Sequence, residues 1–211
     1  MKQTAIPYLF IRGGTSRGPY FNAADLPRDR DQLSRVLISV VGAGNPRNID
    51  GIGGGNAVTT KVAMLSPSDD PKADVDYFFA QVAVDEELVD YAPTCGNILV
   101  GVGPAAIDMG MVPAQDGVTP VRIRAVNTGA LVEAEVQTPG GVVEYEGQTE
   151  VPGVPGTAAP IRLAFLDAAG SKTGRLLPDG AARSVIDGID VSLFDMAVAA
   201  MLADARSFGK T

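Results

Sequence analysis

The chain has 211 residues, a formal net charge of −8, no histidine, no tryptophan and a single cysteine. Hydrophobic residues make up 45% and charged residues 20%, as in a globular protein rather than a disordered one. The missing histidines exclude imidazole-based triads and argue against zinc. One cysteine cannot form an internal disulfide, and no basic surplus favours nucleic acid. Because no apolar stretch reaches the roughly 20 residues of a membrane span, we expect a cytoplasmic protein that does not bind membranes.

The N-terminal part of the chain predicts one surface helix among strands. A strand over residues 4–12 runs into a glycine-rich loop at residues 12–18. Residues 29–41 are predicted to form a helix, because their apolar residues recur at helical spacing on one face. Asp29 suits the start of this helix, and Gly42 is a stop signal. A long loop ends at Asn56, and strands follow at residues 58–65 and 75–84.

The second half predicts a buried helix followed mainly by strands. No charged side chain occurs between residues 96 and 107, which favours a buried central helix to residue 111, kinked at Pro104. Alternating patterns predict further strands at residues 121–126, 131–137, 142–146, 161–166 and 185–195, the first three as an antiparallel meander. Alanine-rich residues 196–206 favour a helix. Together these elements predict an α+β domain.

Three glycine-rich segments are candidates for ligand binding, at residues 12–18, 51–56 and 95–97. Glycine lets the backbone approach a ligand closely, and clustered N–H groups bind anions. The alternative is that these glycines only form turns. None of the segments matches a nucleotide-binding signature.

Cys95 and Lys61 are the candidate acid–base residues in a chain without histidine. Cys95 lies at a predicted helix start, where free N–H groups and the helix dipole stabilise a thiolate. The alternative role for Cys95 is that of a small buried hydrophobic residue. Lys61 lies in an otherwise apolar strand, where it is either an outward-facing side chain or a base in a desolvated pocket. Arg12 and Arg17 flank the first glycine loop and either clamp carboxylates or remain solvated.

Several motifs, taken together, resemble the PrpF family over nearly the whole chain. The motifs lie, in order, at residues 12–18, 50–61, 74–82, 95–99, 127–129 and 176–180. Within the family, they are most similar to 4-oxalomesaconate tautomerases of gallate and lignin-aromatic breakdown. The chain departs from the common pattern at Asn56-Ala57, Thr60 and Ala181.

The resemblance implies a fold like that of diaminopimelate epimerase. That fold has two similar lobes, each a curved mixed or antiparallel sheet around a central helix, with the active site between them. Family members are much longer than this chain. We therefore expect residues 1–184 to form an N-terminal lobe, and residues 185–211 to be a connecting segment and the start of a second lobe that is otherwise missing. The resemblance matches the segment from Val191 to a connecting strand, which is an alternative to the helix over residues 196–206.

The resemblance also implies an activity. Family members shift a proton across three carbons of an unsaturated di- or tricarboxylate, without cofactor or metal. Their acid–base residues match Lys61 and Cys95. The residues expected to bind the substrate are Arg12, Gly13, Gly14, Thr15, Ser16, Arg17, Gly54, Gly55, Asn56, Gly96 and Asn97.

Other functions remain open at this stage. One is an aconitate or methylitaconate isomerase of the same family, working by 1,3-allylic isomerisation rather than keto–enol tautomerisation. Another is an inactive single lobe that acts only in binding or assembly. A lone lobe would expose the apolar wall of its cleft, so a homo-oligomer is an expected outcome.

Overall fold

A computed structural model describes residues 3–166 and 168–210 of the chain. Contacts within the chain divide it into two units, Met1–Ala164 and Phe165–Thr211. The predicted domains, with their boundary after residue 184, also include positions 1, 2, 167 and 211, which lie outside the described residues. Within the described residues, no helix has both the length and the apolar character needed to cross a lipid bilayer.

The first unit is built on a mixed sheet. Its elements in chain order are β1 (Leu9–Gly13), β2 (Ser16–Asn22), α1 (Arg30–Val41), β3 (Lys61–Pro67), β4 (Val75–Val82), β5 (Val89–Asp90), α2 (Gly96–Leu99), α3 (Val102–Asp108), β6 (Gly117–Ala125), β7 (Ala130–Thr138), β8 (Thr149–Glu150) and β9 (Thr157–Ala158). A further strand, β10 (Arg162–Leu166), begins in this unit and spans its boundary at Ala164. The sheet order is β1-β2-β3-β4-β6-β7-β10, with β5 also paired to β4. The β2–β3 and β4–β6 pairs are parallel, whereas β1–β2, β3–β4 and β6–β7 are antiparallel.

Helix α1 agrees with its prediction because its signals are local. The Asp29 side chain accepts a hydrogen bond from Gln32 N at 2.9 Å, which caps the first turn. Gly42 ends the helix in the left-handed region, with φ 78°. The buried residues Leu33 and Leu37 lie on the face that packs against the sheet.

Helices cover both faces of the sheet. Neighbouring residues of a strand point to opposite faces, so Tyr20 and Phe21 belong to two different cores. The core around Tyr20 includes residues of α2 and α3, and the core around Phe21 includes those of α1.

The single central helix predicted over residues 96–111 is not confirmed. Two short helices, α2 and α3, occupy this segment and are separated at Val100 and Gly101. Gly101 lies against the Tyr20 hydroxyl, where an added Cβ would be 2.4 Å from that oxygen. Pro104 falls in the first turn of α3, where a missing N–H removes no helical hydrogen bond, so it is not the site of the break.

Strand predictions in the first unit are correct in part. The N-terminal strand begins at Leu9 rather than at residue 4, and the predicted loop at residues 12–18 is a tight turn between β1 and β2. The strand predicted over residues 142–146 is absent. Val143 there packs into the core, and the Tyr145 hydroxyl donates to Asp108 Oδ2 at 2.7 Å, so these side chains join α3 instead of a strand partner.

The second unit contains a three-stranded antiparallel sheet. Its strands are β11 (Ser184–Ile186), β12 (Ile189–Met196) and β13 (Val198–Ala203). The single strand predicted over residues 185–195 is thus divided by a turn at Asp187 and Gly188, both with positive φ. The helix predicted over residues 196–206 is wrong, because β13 pairs with β12 along this segment.

Candidate functional site

A turn between β1 and β2 contacts the start of α2. Arg12 pairs with Arg17 and Gly13 with Ser16 across the hairpin, and Gly14 and Thr15 form the turn. Thr15 N donates to Asn97 Oδ1 at 3.1 Å. This hydrogen bond joins two of the three glycine-rich segments predicted to bind the substrate.

Glycine is required at position 13 because the two backbones touch there. A Cβ added to Gly13 would be 2.3 Å from Asn97 O and 3.1 Å from Gly101 N. Ser16, on the neighbouring strand, is only 2% exposed, whereas Thr15 is exposed. Of this pair, Thr15 rather than Ser16 is therefore available to a ligand.

The two arginines of the hairpin have different environments. Arg12 is exposed, and its Nη1 donates to Gly14 O at 2.7 Å. The Arg17 guanidinium lies 5.1 Å from the centre of the Phe10 ring. Its Nη2 also approaches Gly54, where an added Cβ would be 2.8 Å away. Arg17 thus links the hairpin to the second glycine-rich segment.

The second glycine-rich segment is held by side chains of its own loop. Gly55 N donates to Asn48 Oδ1 at 2.8 Å, and Val58 N donates to Asn56 Oδ1 at 3.0 Å. Gly54 has φ 71°, a region that favours glycine. Gly54 and Asn56 are exposed, so this loop presents polar backbone to solvent beside Arg17.

Cys95 is the N-cap of α2, as the sequence suggested for a helix start. It is half-buried, and its carbonyl accepts hydrogen bonds from Leu99 N at 2.9 Å and from the Tyr77 hydroxyl at 3.3 Å. Gly96 and Asn97 follow as exposed residues of the first turn. Backbone N–H groups at such a position have no partner within the helix and attract anions.

Two buried tyrosines support this turn. The Tyr20 hydroxyl donates to Ile98 O at 2.6 Å. Burial raises the pKa of Tyr20 and of Tyr77 well above the usual range, and the negative charge that Cys95 carries when ionised raises both further. Both phenols therefore remain protonated donors at neutral pH.

Lys61 begins β3 and contacts two side chains of β4. Its Nζ donates to Gln81 Oε1 at 2.7 Å and lies 5.5 Å from the centre of the Phe79 ring. The residue is half-buried and its amine faces these two side chains rather than open solvent, so its role as a base in a desolvated pocket stays a prediction.

One face of β4 connects the two predicted acid–base residues. Alternate strand residues share a face, which places Tyr77, Phe79 and Gln81 in a row. Tyr77 contacts Cys95 at one end of this row, and Gln81 contacts Lys61 at the other. No role for these three residues was predicted from the sequence, although their alternation is visible in the strand pattern.

Asn127 is a further residue whose role the sequence did not predict, although its motif was noted. Its Oδ1 accepts from Phe79 N at 2.9 Å, and its Nδ2 donates to Phe79 O at 2.9 Å and to Tyr91 O at 2.7 Å. The amide thus acts as a strand partner for β4 and fixes the segment that leads to Cys95.

The arrangement combines an amine, a thiol, two guanidinium groups and exposed backbone N–H groups in the first unit. Such groups bind carboxylates and exchange protons with a bound anion. Among the described residues, no group of three or more histidine, cysteine or carboxylate side chains is placed to hold a metal ion.

The chain is similar to curated proteins over almost its full length. It is 53% identical over 206 residues to the putative isomerase YbhH of Escherichia coli (strain K12), covering 98% of this chain and 59% of that protein. It is 48% identical over 211 residues to the 4-oxalomesaconate tautomerase of Pseudomonas putida, covering 100% of this chain and 58% of that protein. The chain therefore spans less than two thirds of the length of these relatives.

Solved structures show a shared fold. The crystal structure of methylitaconate-delta-isomerase matches with a TM-score of 0.90 and 41% identity, covering 98% of this chain and 54% of that chain. A probable proline racemase from Agrobacterium radiobacter matches with a TM-score of 0.51 and 16% identity over 98% of this chain and 54% of its own, a likeness of fold alone. The predicted racemase- and epimerase-like class of fold is thus confirmed, whereas the single central helix predicted with it is not.

The sequence model of one family, described as PrpF protein, matches residues 3–211. This match covers all but the first two residues of the chain and agrees with the relatives and with the fold. The chain belongs to the PrpF family.

Proposed function

We propose that this chain carries the acid–base residues of an isomerase that moves a proton across three carbons of an unsaturated polycarboxylate such as 4-oxalomesaconate. The observation that carries the proposal is the row of side chains on β4, which ends at Cys95 on one side and at Lys61 on the other. Family membership and the names of the relatives support the same class of reaction.

The proposed reaction needs one group to remove a proton and another to return one. Lys61 Nζ, as the free amine, takes the proton from a carbon next to a carbonyl or carboxylate. The electron pair delocalises over three carbons as an enolate, and the Cys95 thiol gives its proton to the opposite end. Exchange with solvent then restores the amine and the thiol.

The enolate requires positive charge and N–H donors nearby. Arg17, beside the exposed backbone at Gly54, and the first turn of α2, at Gly96 and Asn97, would supply them. Such local groups matter more to a bound anion than the net charge of −8 on the whole chain.

The relatives support two kinds of substrate. One matched protein is named a 4-oxalomesaconate tautomerase and another a methylitaconate-delta-isomerase. We therefore propose 4-oxalomesaconate first, and methylitaconate or aconitate as the alternative. Comparing kcat/KM for the three compounds distinguishes the first proposal from the alternative.

The proposal is tested with Lys61→Ala and Cys95→Ser in the complete product of the gene. Since general acid–base groups contribute roughly 100- to 10,000-fold, we expect each variant to lose at least about 100-fold in kcat while remaining folded. Lys72→Ala is the matched control, because Lys72 is exposed. Near wild-type turnover in both variants would show that the assignment is wrong.

The length of the chain supports a second candidate, an inactive lobe that serves only binding or assembly. The 211 residues cover 59% of the relative YbhH and 58% of the tautomerase. Assaying the 211-residue chain directly, and measuring its mass in solution, separates the two functions. Turnover by this chain contradicts the inactive-lobe candidate.

A further inference from the structure

Gln81 lies directly opposite Lys61 in the β3–β4 pair. Its Oε1 accepts a hydrogen bond from Lys61 Nζ at 2.7 Å. The reaction proposed above assigns Gln81 no part, yet this amide contacts the amine that would take the proton.

We propose that Gln81 is a positioning residue that holds the Lys61 amine at one place. The effect of Gln81 on turnover rests on the proposed function, whereas the effect of Gln81 on the mobility of the Lys61 side chain does not. The two ends of the Gln81 amide are held by different partners.

The nitrogen end of the amide faces only oxygen atoms. Gln81 Nε2 lies 3.2 Å from Ala57 O, 3.2 Å from Val82 O, 3.4 Å from Thr60 O and 3.1 Å from Thr60 Oγ1. Thr60 Oγ1 gives its own proton to Val82 O at 2.7 Å, so it faces Nε2 as an acceptor. Thr60 is fully buried, which fixes that oxygen in place.

These contacts determine which way the amide points. Rotating it by half a turn would bring Oε1 against the backbone oxygens of Ala57, Thr60 and Val82, and would turn the NH₂ group toward the Lys61 amine. An amide nitrogen is a donor only and its oxygen an acceptor only, so the contact with the backbone oxygens would become repulsive, as would the contact with Lys61 whenever it is an ammonium. The oxygen of Gln81 therefore remains directed at Lys61.

A neutral acceptor suits a residue that must change its protonation state. An ammonium donates one of three N–H groups to Oε1, and a free amine still donates one of two. A carboxylate at the same place would instead favour the charged ammonium. The Phe79 ring, 5.5 Å from Nζ, lies on the same face of β4 and limits the space open to the amine.

The first experiment measures the order parameter of the Nζ group by NMR of lysine labelled with ¹⁵N. The chain has five lysines, which keeps the spectrum simple. We expect Lys61 to be more restrained than the exposed Lys72 in the wild type, and to become as mobile as Lys72 in Gln81→Met. Gln137→Met is the matched control, because Gln137 is also half-buried within a strand.

The substituted strand is expected to remain paired. Val82 N still donates to Thr60 O at 3.0 Å, and the Thr60 hydroxyl still donates to Val82 O. If Gln81→Met nevertheless fails to fold, Gln81→Asn provides the same test, since it keeps an amide but is one methylene too short to hold both partners.

The second experiment measures turnover in the complete gene product. Misplacing a reacting group by about 1 Å costs on the order of 100-fold, so Gln81→Met should lower kcat by about that factor and leave KM unchanged. Two NMR results overturn the proposal. One is that the Lys61 amine is already as mobile as that of Lys72 in the wild type. The other is that the Lys61 amine is as restrained in Gln81→Met as in the wild type. If Lys61→Ala lowers kcat, an unchanged kcat beside a freed Lys61 overturns the consequence of this positioning for turnover. A wild type that converts none of the three carboxylates refutes the proposed function instead, and the NMR result still decides whether Gln81 holds Lys61.

Discussion

The substitution Gly13→Ala tests whether the contact between the β1–β2 turn and α2 builds the candidate site. The added Cβ would lie 2.3 Å from Asn97 O, whereas ordinary contacts begin near 3.4 Å. The other close atoms are Gly101 N and the Tyr20 hydroxyl, at 3.1 and 3.2 Å. Since Asn97 O and Gly101 N are backbone atoms and the Tyr20 side chain is fully buried, the hairpin and α2 must separate by about 1 Å.

Overpacking of this kind costs about 1–3 kcal/mol of stability. For a protein of this size, about 1 kcal/mol corresponds to about 2–4 °C in Tm, so we expect Gly13→Ala to melt about 2–12 °C lower. The same displacement moves Cys95 relative to the arginines of the hairpin, and should cost on the order of 100-fold in kcat/KM of the complete gene product.

Thermal unfolding followed by circular dichroism measures the first effect, with Gly96→Ala as the stability control. A Cβ added to Gly96 meets nothing within 4 Å, so this variant should melt at or slightly above the wild-type temperature. If Gly13→Ala melts as high as Gly96→Ala, the close approach of the hairpin to α2 is not a constraint on the fold, and the reasoning is refuted.

Two further predictions concern single side chains. Burial raises the pKa of Asp76, but hydrogen bonds from Arg124 and Ser68 outweigh burial and hold it below its ordinary value. A carboxylate with a lowered folded pKa stabilises the fold above its unfolded pKa of about 3.9, and loses that contribution as the pH falls through the folded value. Urea unfolding should therefore show a steeper loss of stability below about pH 4 in the wild type than in Asp76→Asn, and equal slopes would contradict the prediction. Asn97→Ala removes the acceptor of the hydrogen bond from Thr15 N. The free energy of unfolding should therefore fall by about 1 kcal/mol, and hydrogen exchange at the Thr15 amide should accelerate. An unchanged exchange rate would show that this hydrogen bond contributes nothing.

Local signals predict α1 because each of them acts within one turn of the helix. Asp29 caps the first turn through Gln32 N, and Gly42 ends the helix with a positive φ. Leu33 and Leu37 follow helical spacing and are buried. No distant residue is needed to specify such an element.

The C-terminal segment shows how tertiary pairing overrides local propensity. Alanine favours helix, yet Ala199 and Ala200 lie in β13, opposite Asp195 and Phe194 of β12. A turn at Ala197, with φ 64°, reverses the chain between the two strands. Pairing with a neighbouring strand stabilises this segment more than its own composition does, and that pairing is not visible in residues 196–206 alone.

By itself, the sequence predicted the family and limited the side chains that are candidates for acid–base chemistry. The absence of histidine left lysine, cysteine and carboxylates as candidate acid–base groups, and the ordered motifs indicated the family and made Lys61 and Cys95 the predicted pair. Tertiary structure alone decided how these residues are held. Lys61 and Gln81 are 20 positions apart, and Thr15 and Asn97 are 82 apart. Such contacts depend on strand pairing and on backbone approach between distant segments, which the spacing of residues along one segment does not reveal.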